Sequence, residues 1–517
     1  MLKPVAVFTL LIISIAGIES ARILAWFPTP SISHQVVFRP IIHELAKRGH
    51  EVVFITPDPV KVNQTNLIQI DVHDVSYSNW EELLIDNRVD KQQLILQIKG
   101  FIERFSIVFD KQNEVPEVKK IVTTERNNFD LILTEACVRV AYGLTHAFDK
   151  PMVLISSFGL VPTHYDTFGA PIHPFLFPSP GRQRLYNLTI LEKITEVISF
   201  VVLAAIVRTT EEFDYKVMRK HLGEDVPSFD DLLRSAKLVL VNEHPLWADN
   251  RPVGPNIKFI GGVHQTPEKE LPKDLKQYLD SSKNGVIYIS FGTNVKTSLL
   301  PPEIVEIMMK VLSKLPYNVL WKWDMEELPG KPKNIKISKW YPQADLLRHP
   351  NVKLFITQGG LQSTDEAITA GVPVLGMPVI GDQWYNVEKY VQHKIGLQLD
   401  LFTLEEESFR TAIETIIGEP RYDRLKNILK LKGVMRDAPI KPLDNAVWWI
   451  EHLIKYGGDH LQPPAAGISW AEYYELKLLA VLTSIILTIF IVIVFVLRLI
   501  IKTIKSLLIS NVKLKTK

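Results

Sequence analysis

From Ala21 onward, short apolar runs with the character of strands alternate with amphipathic runs with the character of helices. ARILAWF, starting at Ala21, is followed by the helical HQVVFRPIIHELAKRGH and then by EVVFITP. LILTEA begins at Leu131 and MVLIS at Met152. This βαβ rhythm predicts a parallel sheet with helices on both faces, and no short repeat period is evident, so the chain is not a solenoid. Pro40 falls within the first helical run, where it either kinks the helix or sits in its first turn.

A second series of the same kind follows a polar, Pro- and Lys-bearing stretch, HQTPEKELPKD, that begins at His264. GVIYISFG, NVLWKW, VKLFITQ and GVPVLGMP are its strands. The simplest division is an N-terminal α/β domain over residues 21–264, a linker over 265–284 and a second α/β domain over 285–440. Residues 441–477 then supply further helices, among them the amphipathic KPLDNAVWWIEHLIKYGG. The segment LTILEKITEVISFVVLAAIV, from Leu188, is apolar and helical but interrupted by charges. It is expected in the core; a membrane-surface contact or an apolar channel for a substrate are the alternatives.

Both ends carry membrane-related signals. Residues 1–20 combine one Lys, an apolar run from Val5 to Ile18 and small residues, as a secretory signal peptide cut near Ser20 does. Residues 478–497 form an uncharged apolar run, which as a helix reaches about 30 Å, the thickness of a bilayer's hydrocarbon core. Arg498, Lys502, Lys505, Lys513, Lys515 and Lys517 follow in the tail 498–517 without an acidic residue. Positive charge on that flank predicts a single-pass type I protein with its tail in the cytosol and its bulk in the lumen. The closing KLKTK resembles the dilysine signal that returns membrane proteins to the endoplasmic reticulum. The sequons at Asn63 and Asn187 suit glycosylation in that compartment.

Lys+Arg (59) and Asp+Glu (57) nearly cancel, so no nucleic-acid partner is expected. With Cys137 the only cysteine, the lumenal part is held by its core and not by disulfides. That lone cysteine reads as packing. The sequence offers no clustered His/Cys ligand set, so no metal is expected.

The richest chemistry lies between Trp340 and Gln383. FITQGG, from Phe355, is a strand ending in two glycines, which let backbone approach a ligand at the head of the following helix. A phosphate is the natural guest. Ser363 and Glu366 are three residues apart on that helix and face similarly, while Trp340 and Gln343 precede it in KWYPQ. An indole stacks on a flat base, an amide reads a base edge or a ribose hydroxyl, and Asp382-Gln383 suit the hydroxyls of a sugar.

In order, W-x-P-Q, the Gly359-Gly360 pair, Ser363 with Glu366, GVPVLGMP and GDQ resemble the donor-binding signature of the UDP-glycosyltransferase family, animal membrane-anchored type. RGHEVVFIT, the leader, the anchor and the basic tail extend the resemblance over nearly the whole chain. It implies a GT-B fold of two Rossmann-like domains facing a cleft, with an inverting transfer of a hexose to small lipophilic acceptors, as in detoxification. The donor would be a co-substrate and no cofactor is implied; a homo-oligomer is left open. The resemblance places Trp340 on uracil, Gln343 on the nucleoside and Glu366 on the ribose. Ser363 and the Gly359 and Gly360 amides would meet the phosphates together with Ser290, Gly292 and Thr293, and Asp382 and Gln383 the sugar. Gln358 and Gln362 stand where many members carry His and Asn; glutamine still donates a hydrogen bond to phosphate.

His34 follows the first strand, at the carboxyl end where open α/β sheets bind ligands. The family's histidine here is the general base, oriented by an aspartate. This chain has Glu135 after its LILT strand, so Glu135 is the expected partner. Glucose is the preferred donor sugar and glucuronate the next, because the pattern is that of invertebrate members. A member that binds a lipophilic ligand without turnover is the alternative; another nucleotide-sugar enzyme such as an epimerase fits the anchor and the W-x-P-Q run less well.

Overall fold

Two parallel sheets organise the chain, each built where apolar residues fill successive strand positions. A computed structural model describes residues 20–86, 94–182, 184–418 and 421–515. The leader expected over 1–20 lies outside the described residues except for Ser20, as do the last two residues of the tail. The chain divides into a unit ending at Pro463 and a second unit, Pro464–Lys517.

The first sheet contains β1 (Arg22–Trp26), β2 (Glu51–Thr56), β3 (Leu67–Asp71), β4 (Leu131–Glu135), β5 (Met152–Ser156), β6 (Ala236–Val241) and β7 (Ile257–Phe259). Their spatial order is β3-β2-β1-β4-β5-β6-β7 and every pairing is parallel. The second holds β8 (Val286–Ser290), β9 (Asn318–Lys322), β10 (Ile335–Ser338), β11 (Val352–Thr357), β12 (Val374–Gly376) and β13 (Gly396–Gln398), in the order β10-β9-β8-β11-β12-β13. Both are doubly wound Rossmann-like sheets. In each, the order reverses beside the first strand, between β1 and β4 and between β8 and β11. A crevice opens there at the strand ends because the flanking connections depart to opposite sides.

Period-two alternation sends Ile23, Ala25 and Phe27 to one face of the first sheet and Leu24 and Trp26 to the other, each inside its own buried cluster. Helix α1 (Ile32–Lys47) covers the first of these faces with Val37, Phe38, Ile41 and Leu45. Pro40 lies in the interior of α1 and not in its first turn. Further helices used below are α2 (Ile190–Thr209), α3 (Leu361–Ala370), α4 (Gln383–Gln392), α5 (Pro442–Tyr456) and α6 (Leu476–Lys515). After the second sheet is complete, α5 returns to the first: Ala446, Val447, Ile450 and Leu453 join the cluster under α1, and Arg48 pairs with Asp444 and Glu451.

One expectation is overturned. The apolar helix α2 does not lie in the core; none of its residues is buried, and Ile190, Leu191, Ile194, Ile198 and Val201 are exposed. Its opposite side, with Phe200, Leu203 and Val207, lines a cavity. One side of the helix looks into that cavity and the other outward, and its apolar run is interrupted by Glu192, Lys193, Glu196 and Arg208.

In the second unit, α6 contains Leu476–Leu508, which by length and composition is able to cross a membrane. The helix runs on through Arg498, Lys502 and Lys505, since Lys, Arg and Leu are all good helix formers. Charge, not loss of helix, marks the end of its apolar part.

Candidate active site

The two crevices of the first unit open into one shared cavity of about 1140 Å³. Residues expected from the sequence line it from both sides: His34 from the first half, and Ser290, Trp340, Ser363, Glu366 and Asp382 from the second. Gly292, Thr293, Gln343, Gln358, Gly360, Gln362 and Gln383 also reach it, whereas Glu135 and Gly359 do not.

His34 sits in the first turn of α1, directly after β1, and Glu135 closes β4, the neighbouring strand across the order reversal. Nδ1 of His34 lies 2.5 Å from Oε1 of Glu135. The other carboxylate oxygen accepts from Thr29 Oγ1 at 2.5 Å, and Glu135 is 0% exposed. With Nδ1–H held by the carboxylate, Nε2 carries the imidazole lone pair. Ser157 Oγ lies 3.0 Å from the same Nδ1 and donates to Glu135 Oε1 at 3.5 Å.

Cys137 is beside this pair: His34, Glu135 and Cys137 bring a nitrogen, an oxygen and a sulfur within 4.8 Å of one another. The sequence contained no visible ligand cluster because His34 is about a hundred positions from the other two. Burial and the neighbouring Glu135 push the Cys137 thiol up, so it stays protonated. The carboxylate is already satisfied by His34 and Thr29, which matches a hydrogen-bonded acid–base pair.

In the second half, Gln343 is the hub. It accepts from Tyr288 Oη at 3.1 Å through Oε1, and its amide nitrogen donates to Ser363 Oγ at 2.9 Å and Glu366 Oε2 at 2.8 Å. Burial raises the Glu366 carboxyl to about 7. Trp340, 57% exposed, presents its ring to the cleft with Lys322 Nζ 4.7 Å from the ring centre. Lys322, at the end of β9, donates to Gly292 O at 2.8 Å, and burial lowers it to about 8. No carboxylate among the described residues forms an ion pair with it. Sequence reasoning passed over Lys322 because its neighbours Gly292 and Trp340 lie on two other loops.

The glycine turns are close-packed. Gly292 (φ +76°) and Gly359 (φ +90°) occupy the left-handed region, and a Cβ on either would collide, with the Gln358 amide and with Val387 respectively. Gly360 stands at the head of α3. Thr293 Oγ1 is buried without a hydrogen-bond partner among the described residues.

Asp382 stands at the head of α4, where Asn386 Nδ2 donates to it at 3.0 Å. Burial raises it to about 6, opposed by the nearby His34 of the other half. Gln383 accepts the Val379 and Ile380 N–H groups, both at 2.9 Å, so its carbonyl fixes the loop and only its amide nitrogen is left for a ligand. Gln362 does not turn its amide to the glycine loop; it donates across the cleft to the Ser157 carbonyl at 2.8 Å.

The sequons occupy exposed positions, Asn63 in a loop and Asn187 at φ +55°.

A family model described as UDP-glucoronosyl and UDP-glucosyl transferase matches residues 21–508. An ecdysteroid UDP-glucosyltransferase of Spodoptera littoralis nuclear polyhedrosis virus is 33% identical, over 88% of this chain and 92% of its own length. UDP-glycosyltransferase UGT5 of Dactylopius coccus is 29% identical over 95% of this chain and 94% of its own. Among solved structures, glycosyltransferase VinC in complex with DTDP superposes with a TM-score of 0.58 at 17% identity, over 84% of this chain and all of that one. The calicheamicin glycosyltransferase CalG4 gives 0.56 at 15% identity, over 85% of this chain and 99% of its own. The architecture is therefore GT-B, as expected.

Proposed function

Because the chain belongs to the UDP-glucoronosyl and UDP-glucosyl transferase family and is a glycosyltransferase, we propose that it transfers glucose, or less readily glucuronate, from a UDP-sugar to a hydroxyl of a bulky lipophilic acceptor. One observation carries the reading: His34 of the first half, held from behind by Glu135, and Asp382 of the second line the same cavity, close enough for His34 to influence the Asp382 carboxyl.

In the proposed reaction the acceptor hydroxyl donates to His34 Nε2. Nε2 takes the proton as the oxygen forms its bond to the anomeric carbon; the bond from that carbon to the phosphate oxygen breaks, and UDP leaves from the opposite face with the electron pair. The sugar is inverted. Glu135 holds the ring and steadies the imidazolium, as the acidic member of a triad does.

On the donor side, Trp340 stacks on uracil, and Gln343 and Glu366 take the nucleoside and ribose. Ser290, Gly292, Thr293, Gln358, Gly359, Gly360 and Ser363 surround the diphosphate. Lys322 supplies the positive charge that these neutral donors lack. Asp382 and the Gln383 amide bond the sugar hydroxyls.

For the acceptor, support comes from Phe101, Phe105, Phe177, Phe200 and Leu203, which make the far end of the cavity apolar. Relatives named for ecdysteroids favour a steroid-sized, polyhydroxylated alcohol. The preference for glucose follows the relatives named glucosyltransferases. Anchoring through α6 with the basic flank Arg498, Lys502 and Lys505 in the cytosol leaves the site in the lumen of the endoplasmic reticulum, where Asn63 and Asn187 would be glycosylated.

The test is to incubate microsomes containing the protein with radiolabelled UDP-glucose or UDP-glucuronate and a panel of phenols and polyhydroxylated steroids. A conjugate is expected that is lost with His34→Ala. No conjugate with any pairing overturns the transferase reading, and undiminished conjugation by the variant overturns the base.

A further inference from the structure

Two hydrogen bonds cross the cleft, and both end beside His34. Ser31 Oγ, in the residue that precedes α1, donates to Asn294 Oδ1 at 3.1 Å. Gln362 Nε2, in the first turn of α3, donates to the Ser157 carbonyl at 2.8 Å. Ser157 is fully buried, and its Oγ lies 3.0 Å from His34 Nδ1. Its carbonyl also accepts from Asn242 Nδ2 at 3.1 Å, which fixes it to its own half.

We infer that Gln362 and Ser157 form a latch through which the donor-binding helix sets the imidazole of His34, making both positioning residues. The inference rests on the transferase reading above. Its chemistry is direct. α3 begins at the glycine pair, so a diphosphate held at the head of that helix also holds Gln362. Gln362 in turn fixes the Ser157 backbone, and the Ser157 hydroxyl completes the set of groups around Nδ1. Glutamine is needed for the reach across the cleft; the asparagine that many family members carry is one methylene shorter. A second consequence is that the Ser157 carbonyl is tied to both halves, to Asn242 in its own and to Gln362 in the other.

Two readouts separate this role from plain donor contact. UDP affinity is measured by calorimetry, and kcat and KM for UDP-glucose by steady-state conjugation in the full-length protein. Gln362→Ala is expected to leave the Kd for UDP within about twofold while kcat falls about tenfold or more. Ser157→Ala keeps the carbonyl and removes the hydroxyl, and is expected to behave the same way. Combined, the two substitutions should cost little more than the larger single one, because both act along one route. Gln362→Asn, which changes only reach, should likewise leave the Kd for UDP within about twofold and fail to restore kcat.

Should Gln362→Ala weaken UDP in proportion to its loss of kcat/KM, Gln362 is a donor contact and the latch is wrong. Fully multiplicative losses in the double variant overturn it as well. If Ser157→Ala does not fold, the Gln362 variants still decide the matter. Absence of any conjugate from the unaltered protein is a failure of the transferase reading instead, and is seen before either variant is made.

Discussion

His34 Nδ1 and Glu135 Oε1 are 2.5 Å apart although 101 positions separate them in the chain. Glu135 extends from the end of β4 to meet α1, and Thr29 at 2.5 Å holds its second oxygen. The longer side chain thus fits the place where the family pattern has aspartate.

This fit predicts an unusual ranking of substitutions. Glu135→Gln should lower kcat about 100-fold with donor KM nearly unchanged, since it removes the charge that steadies the imidazolium but keeps the shape. Glu135→Asp should also be impaired, because the shorter carboxylate cannot reach both His34 and Thr29. His34→Ala should fall furthest, about 1000-fold or more. Steady-state kinetics with UDP-glucose decide the order, and an unimpaired Glu135→Asp would show that the extra methylene is immaterial.

Lys322 gives a prediction with a sign. In the free protein burial lowers it to about 8, and its contacts are the Gly292 carbonyl and the Trp340 face. An anion bound beside it favours the protonated form, so UDP binding carries a proton with it once the free lysine has lost its own. The Lys322 contribution to affinity should be constant below about pH 8 and then fall, by up to about tenfold per pH unit. Lys322→Met should weaken UDP at pH 7 and remove that dependence, while Lys322→Arg should move it out of the accessible range. Uridine, which has no phosphate, should bind all three proteins alike; calorimetry at pH 7, 8 and 9 makes the comparison.

How far these features were legible in the sequence follows from burial. β1, β2, β4, β5, β8, β9, β11 and β12 announce themselves as apolar runs, most of them buried on both faces. β3, β7, β10 and β13 are edge or near-edge strands with partly exposed residues such as Ile68 and Lys336, so their pattern is broken. Ser363 and Glu366 share a helix turn and could be paired by spacing, but Gln343 reaches them only through the fold. Ser157, Thr29 and Lys322 carry no local motif. α2 misled because a helix lining a cavity has the same apolar composition as one packed in a core.

Asp382 should govern the acid side of donor binding. Burial raises its carboxyl to about 6, and Glu366 is raised to about 7, so both protonate as the medium is acidified from neutral. Protonation would take away the acceptor sites proposed for the sugar and ribose hydroxyls. The KM for UDP-glucose should therefore climb between pH 7 and pH 5. Asp382→Asn should lose about 100-fold in kcat/KM at pH 7 and respond less to acid below pH 6, a difference read directly from KM against pH in the two proteins.

The link between the halves rests on Trp247, which follows β6 yet is buried in the cluster of the second sheet. Its Nε1 donates to Asn386 Oδ1 at 2.8 Å, while Lys389 and Tyr385 of α4 meet Asp249 at 2.8 and 2.9 Å. Asn386 also donates to Gly359 O at 2.9 Å and to Asp382 at 3.0 Å. A single indole therefore supports both the contact between the halves and, through Asn386, the glycine loop. Trp247→Ala should cost about 3–5 kcal/mol from the cavity it leaves, with a further rise in donor KM as Asn386 is freed. Trp247→Phe keeps an aromatic ring and most of the volume but loses the N–H, so it should cost about 1–2 kcal/mol, less than alanine, yet still raise the donor KM. Chemical denaturation and donor kinetics on the same samples test this. If Trp247→Phe is destabilised without any change in KM, Asn386 holds the donor loop unaided and the indole N–H serves stability alone.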